Sequence, residues 1–116
     1  MEAQWSPGGS AFFVNDGNGS DLNLAYVFDA QGTQRVDLRK AIVAADSEAA
    51  KFAARPSHLY VVAIGWRDGR HLLVDFAGHT DSAPVRCFDF RYRVSLSGAV
   101  ANVWRRFPPV TSMSCR

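Results

Sequence analysis

The sequence lacks several features that define large classes of proteins. No stretch approaches the roughly 18 consecutive apolar residues of a membrane-spanning helix, so we expect no membrane insertion. A G-x-S-x-G nucleophile elbow and an H-E-x-x-H zinc motif are both missing. The pair Gly8-Gly9 precedes a strand pattern rather than a helix, which argues against a glycine-rich phosphate loop. We therefore expect no metal, no cofactor and none of these enzyme classes.

Cysteine is scarce as well. The sequence has two cysteines, Cys87 and Cys115, which are too few for a disulfide framework or for a zinc site built from cysteine alone. One bridge between them would tie the C-terminal tail to a strand and would need an oxidising compartment. Two reduced thiols are the alternative, and the sequence favours neither.

The composition is typical of one globular domain. Hydrophobic residues make up 47% of the 116 residues and charged residues 21%, which is too apolar for a disordered chain. We predict a single domain over residues 1–109, followed by a tail over 110–116. The net charge is +2, and residues 58–116 carry eight arginines against four aspartates. This excess is mild, and it indicates an anionic partner only weakly.

Alternation of apolar and polar residues predicts strands on both sides of one helix. The seven predicted strands are 11–15, 24–28, 33–36, 58–66, 71–77, 85–94 and 99–106. Between the third and fourth strands, apolar residues recur at helical spacing, which predicts one helix over about 38–54. Asp37 is placed to cap this helix and Pro56 to stop it, and Asp46-Ser47-Glu48 could instead divide it into two.

These elements predict an α+β fold. We expect an antiparallel β-meander of about seven short strands, similar to a propeller blade, with the helix covering one face. Because the connections are short, neighbouring strands should be antiparallel, with no parallel crossover. Residues 78–84 are predicted to form a loop, since this segment begins with glycine and ends with proline.

Two segments resemble a known repeat. Trp5–Val14 resembles the opening of a TolB-type β-propeller blade, in which a W-S-P-D-G phrase precedes a strand, although Gly8 stands where that pattern has aspartate. Trp66–Val74 is similar to a looser copy of the same phrase. Two copies cannot close a propeller, because a ring needs roughly four or more blades.

The chain as a whole is similar to small secreted bacterial proteins. The shared phrases lie at Val14–Asp21, His58–Val61 and Phe90–Val94. The resemblance implies an exported or periplasmic protein whose signal peptide has been replaced by Met1, with a cytoplasmic location as the alternative. It implies no particular activity.

The segment after the first predicted strand has part of the spacing of a calcium loop. Asp16, Asn18 and Ser20 stand where an EF-hand loop has its first three ligands. The sixth position is Asp21 rather than glycine, and the twelfth is Val27 rather than a bidentate glutamate. We therefore favour a loop held by its own Asx turns over an ion site.

His79 is the candidate for a catalytic group. With Asp75 or Asp81 it could form half of a catalytic triad, with Ser82 or Ser97 as the nucleophile. No elbow motif would expose either serine. A small hydrolase is therefore an alternative, and we favour a position of His79 at the rim of a hairpin.

Residues 85–94 show the clearest alternation in the sequence. Phe88, Phe90 and Tyr92 fall on one face, and Asp89, Arg91 and Arg93 fall on the other. Such a strand is similar to those with which RNA-recognition domains stack bases, but the glycines and the βαββαβ order of those domains are missing. We therefore predict that the rings pack against the helix and that the chain binds no nucleic acid.

The polar face of this strand is the predicted binding surface. Arg86 at its margin, with Asp89, Arg91, Arg93 and His79, would suit recognition of another protein, and a solvated face without a partner is the alternative. We expect a non-enzymatic exported binding protein, such as an inhibitor or immunity-type protein of the bacterial envelope. The alternatives are a small hydrolase and a structural module that forms a homodimer through its sheet edges.

Overall fold

A computed structural model describes residues 2–17, 22–54, 56–80 and 84–110 of the chain. Within them the chain forms eight strands and two helices, which is an α+β fold as predicted. The elements are β1 (Glu2–Trp5), β2 (Ala11–Gly17), β3 (Leu22–Asp29), β4 (Arg35–Asp37), α1 (Leu38–Ala45), α2 (Ser47–Ala53), β5 (Pro56–Trp66), β6 (His71–Thr80), β7 (Cys87–Ser95) and β8 (Val100–Arg106). No helix in the described ranges is long and apolar enough to cross a membrane.

All eight strands belong to one open sheet. Their order is β1-β2-β3-β5-β6-β7-β8, and β4 pairs with β3 beside this path. The prediction of seven strands missed β1, a strand of four residues that are all exposed. Pairing with β2 holds β1 in place, and the indole N–H of Trp66 donates to the Gln4 carbonyl at 3.1 Å.

Strands β3 and β5 run parallel, so the prediction of a meander without a parallel crossover is wrong. They pair through Leu22 with Leu59 and through Asn23 with Tyr60. β4 pairs with residues 26–28 of β3 and so occupies the later half of the same edge. β5 therefore joins the earlier half of that edge of β3. The helices bring the chain back to the end at which β3 begins, so β5 runs in the same direction as β3.

One buried and one half-buried asparagine side chain continue the junction where this short pairing ends. The Asn15 amide accepts the Ala63 N–H at 2.8 Å and donates to the Ala63 carbonyl at 2.9 Å. Asn23 Nδ2 donates to the Val61 carbonyl at 2.9 Å. These amides satisfy backbone groups of β5 that have no strand beside them, which a buried edge requires.

The predicted helix is divided at Asp46, as the alternative interpretation of Asp46-Ser47-Glu48 had it. Asp46 is extended, with φ −134° and ψ 111°. Its N–H donates to the Ile42 carbonyl at the end of α1, and its side chain accepts the Glu48 N–H at the start of α2. The predicted cap at Asp37 is confirmed, since its side chain accepts the Lys40 N–H at 3.2 Å.

Both helices pack on one face of the sheet. The buried cluster includes Phe13, Ala25, Leu38, Ile42, Ala49, Phe52, Leu59, Val61, Val74, Phe76, Phe88, Phe90 and Tyr92. Phe88 is 1% exposed, and Phe90 and Tyr92 are fully buried. The prediction that these three rings pack against the helical side is therefore confirmed.

Asp46 also joins the helices to the sheet. Its carboxylate accepts the Tyr92 hydroxyl at 2.5 Å and the Arg105 guanidinium through two bonds of 2.8 and 3.0 Å. Burial, together with the hydrogen bond to Asp46, strongly raises the pKa of Tyr92. The hydroxyl therefore stays protonated and remains a donor to the carboxylate.

Candidate functional site

The face of β6–β8 opposite the helices carries most of the predicted binding residues. We call it the open face and define it by Asp75, Asp89, Arg91, Arg93, Trp104 and Arg106. In the sheet, Asp75 lies opposite Arg91, which lies opposite Trp104. Asp89 lies opposite Arg106 in the next row. Because alternate residues of a strand point to the same side, these side chains share one surface.

Trp104 lies at the centre of this surface. The guanidinium carbons of Arg91 and Arg106 are each 4.1 Å from the centre of its ring, which is cation–π distance. A bulge in the β7–β8 pairing sets this position, and Asn102 Nδ2 supports the bulge by donating to the Arg91 and Trp104 carbonyls at 3.1 and 3.0 Å. The sequence prediction missed Trp104 because its neighbours depend on that register.

Asp75 orients Arg91. The guanidinium donates through Nε to Oδ1 at 2.6 Å and through one terminal nitrogen to Oδ2 at 3.0 Å. This bidentate bond raises the pKa of Arg91 further above its ordinary value. A planar guanidinium held at two points is fixed over the indole ring and loses little entropy when a partner binds.

Two buried polar atoms of the open face have no hydrogen-bond partner in the described part of the chain. They are Asp89 Oδ1 and the indole nitrogen of Trp104. Burial and the neighbouring Asp75 carboxylate raise the pKa of Asp89. Unpaired buried polar groups are costly, so these two atoms lower the stability of the fold.

We predict that Asp89→Asn raises the stability of the free protein at neutral pH by a fraction of a kcal/mol. The ionised carboxylate is disfavoured in the folded state, and the amide removes that charge. Because the pKa of Asp89 is higher in the folded state than in the unfolded state, the folded state is protonated first as the pH falls. The difference in stability between Asp89→Asn and the wild type should therefore shrink. Urea midpoints of both proteins at neutral and acidic pH measure this. A difference that grows as the pH falls would contradict it.

Arg86 does not belong to the open face, so its predicted place at the margin of that face is wrong. It precedes β7, and its guanidinium carbon lies 5.4 Å from the Phe52 ring and 5.1 Å from the Phe107 ring, on the helical side. Arg93 does lie on the open face, between Leu73 and Ala101, and it is exposed.

His79 does not form a dyad with Asp75, which was the alternative to a position at the rim of a hairpin. The two residues are four apart along β6, about 13 Å in an extended strand, and Asp75 is bound to Arg91. The His79 ring instead lies 4.3 Å from the His58 ring. The other suggested partners, Asp81 and Ser82, lie outside the described residues.

A different histidine is paired with a carboxylate. His71 Nδ1 lies 3.0 Å from both oxygens of Asp68. Asp68 also accepts the Arg70 and His71 backbone N–H groups, and these bonds, with the imidazole, lower its pKa. Among the residues that the structure describes, no serine hydroxyl bonds to the His71 ring. The sequence signal for this pair is the spacing of three residues between Asp68 and His71 across the turn at Gly69.

The remaining predicted sites fall partly outside the described residues. Cys87 is buried and disulfide-bonded. Cys115, the other cysteine of the sequence, lies outside the described residues, so its pairing with Cys87 stays a prediction. Asn18 and Ser20 of the suggested calcium loop also lie outside the described residues. In the described ranges, no three His, Cys, Asp or Glu side chains are placed to hold a metal ion.

Comparisons with known protein families, with curated proteins and with solved structures found no match to this chain.

Proposed function

We propose that the chain is a non-enzymatic binding module that recognises another protein through the open face. The observation that carries the proposal is Trp104 in contact with Arg91 and Arg106, on a sheet face that both helices leave uncovered. Tryptophan and arginine are the residues most enriched among the few that dominate protein–protein binding energy. Arg93 extends the same surface and adds an exposed positive charge.

A polypeptide is the partner that best suits the guanidinium groups of this face. Arg93 is exposed, and Arg91 and Arg106 lie over the Trp104 ring. A protein offers carboxylate and main-chain carbonyl acceptors for these groups. Contact with a partner would also remove water from the guanidinium groups, which strengthens their hydrogen bonds.

The structure offers little for the stacking of nucleic-acid bases on this face. Phe88, Phe90 and Tyr92 are buried on the helical side. Among the residues that define the open face, Trp104 alone is aromatic. Since single-stranded RNA and DNA are held largely by successive bases stacked on several aromatic rings, a protein partner is favoured.

An exported location belongs to the same proposal. The disulfide bond of Cys87 supports it, because structural disulfides persist in oxidising compartments such as the bacterial periplasm. An inhibitor or immunity-type role in the bacterial envelope agrees with a small module that binds through one flat face.

We predict that Trp104→Ala weakens binding of the partner about 30-fold or more, because truncating a central hot-spot tryptophan costs about 2 kcal/mol or more. The partner is first identified by cross-linking the full chain in a bacterial envelope extract. The affinity of the purified partner for each variant is then measured by calorimetry. Arg93→Glu should also weaken binding, and as an exposed substitution it leaves the fold intact.

Trp5→Ala is the matched control, since it makes the same chemical change at a tryptophan that is 56% exposed on β1, outside the open face. Its affinity should equal that of the wild type. Equal affinities for the Trp5 and Trp104 variants would overturn the proposal. Capture of RNA instead of a protein, lost in Arg93→Glu, would also overturn it.

A further inference from the structure

Three turns meet at one end of the sheet and line a cavity of about 600 Å³. They are residues 6–10 between β1 and β2, 67–70 between β5 and β6, and 96–99 between β7 and β8. The Leu96 N–H donates to the Arg70 carbonyl at 3.0 Å and ties the second turn to the third. The volume of this turn-end cavity falls in the range of small-molecule sites, roughly 300–1,000 Å³.

The lining of the turn-end cavity is rich in hydrogen-bond donors and contains no acidic side chain. Its polar members are Ser10, Arg70, His71, Ser95 and Ser97. The hydroxyl oxygens of Ser95 and Ser97 are 2.7 Å apart, so one of the two protons joins them and the other remains for a third group. The guanidinium of Arg70 has no partner among the described residues.

The nearest carboxylate is already occupied by the turn itself. Asp68 accepts the backbone N–H groups of Arg70 and His71 and bonds to the His71 ring. The Nδ1–H of His71 donates to Asp68, so Nε2 of the neutral ring is an acceptor and adds no donor to the cavity.

We propose that the turn-end cavity binds a phosphate group, either as free phosphate or as a phosphomonoester. Arg70 supplies the planar fork of donors that matches phosphate oxygens. Hydroxyl donors come from Ser10, whose oxygen lies 3.4 Å from that of Ser6, and from the Ser95–Ser97 pair, so three turns contribute donors to the lining of the cavity. A phosphate group has more acceptor oxygens than a carboxylate and can use donors from all three turns. Ser95 lies two residues from Arg93 along β7, so the cavity adjoins the open face, but the proposal does not depend on the function of that face.

The test is a titration of the ¹⁵N-labelled full chain, followed through its amide chemical shifts, with inorganic phosphate and in parallel with glycerol 3-phosphate. Saturable shifts are expected at residues 70–71 and 95–97. Tighter binding of the ester would assign a phosphorylated ligand, and equal binding of both would assign the free anion. The absence of a saturable shift with either compound would overturn the proposal.

Arg70→Ala should weaken phosphate binding about tenfold or more, since a hydrogen bond to a charged group contributes roughly 1.5–3 kcal/mol. Arg67→Ala is the matched control, because Arg67 lies in the same turn but does not line the cavity. Ser97→Ala should cause a smaller loss than Arg70→Ala. If the Arg67 and Arg70 variants lose affinity equally, the binding is general charge attraction and the proposed site is wrong.

Discussion

Gly78→Ala should lower the free energy of unfolding by more than about 4 kcal/mol, which is exceptional for the addition of one methyl group. A Cβ atom built on Gly78 would lie 1.8 Å from the backbone carbonyl oxygen of His58 and 3.2 Å from the Phe88 ring. Gly78 lies opposite Leu59 in the β5–β6 pairing. The clash is with backbone, so relief requires the two longest strands of the sheet to separate.

Chemical denaturation followed by tryptophan fluorescence measures this loss. Gly65→Ala is the matched control, because Gly65 lies in the same strand pair and its added Cβ would meet nothing closer than Gln4 Oε1 at 4.0 Å. The control should unfold close to the wild-type midpoint. A Gly78 variant that fails to fold while the control folds gives the expected result in its extreme form. An unchanged midpoint for the Gly78 variant would show that the two strands do not approach so closely.

Gly78 also illustrates what the sequence could not predict. The sequence pattern predicted that the strand beginning at His71 ends at residue 77 and that a loop covers 78–84, because glycine often begins a loop. In the structure β6 continues to Thr80. The glycine lies within the strand because another backbone passes close by, next to a register shift between Pro56 and His58. Only the tertiary structure distinguishes a glycine of this kind from one in a turn.

Local patterns predicted the parts of the fold that depend on neighbours in sequence. The alternation of β7 buried the predicted rings, and Asp37 capped the first helix as predicted. The parallel pairing of β3 with β5 was missed, because it depends on which half of an edge β4 leaves vacant. Such competition for an edge has no signature in local periodicity.

The candidate site divides in the same way. Alternation along β7 correctly placed Asp89, Arg91 and Arg93 on one side of the strand. The cross-strand contacts of Arg91 with Asp75 and Trp104 depend on register, and a bulge between Arg91 and Tyr92 shifts that register. Bulges re-aim side chains without a reliable sequence signal, so the tryptophan at the centre of the surface became visible only in the structure.

Asp46→Ala should lower the free energy of unfolding by about 3 kcal/mol. The substitution removes the cap of α2, which contributes about 1 kcal/mol, and leaves the buried Tyr92 hydroxyl without an acceptor, which costs about 1–3 kcal/mol. The Arg105 side chain is 34% exposed, so it can regain water and adds less. Urea unfolding followed by circular dichroism measures the loss.

Asp37→Ala is the control for capping alone, because Asp37 caps α1 through one backbone bond at the surface and its loss should cost about 1 kcal/mol. Tyr92→Phe removes the other end of the buried bond while it keeps the ring. If Asp46 holds the helices to the sheet, Asp46→Ala in a Tyr92→Phe background should cost about 1–2 kcal/mol less than in the wild type, since no hydroxyl is then left unpaired. Equal costs in both backgrounds, and a cost no greater than that of Asp37→Ala, would reduce Asp46 to a helix cap and assign the docking of the helices to their apolar contacts alone.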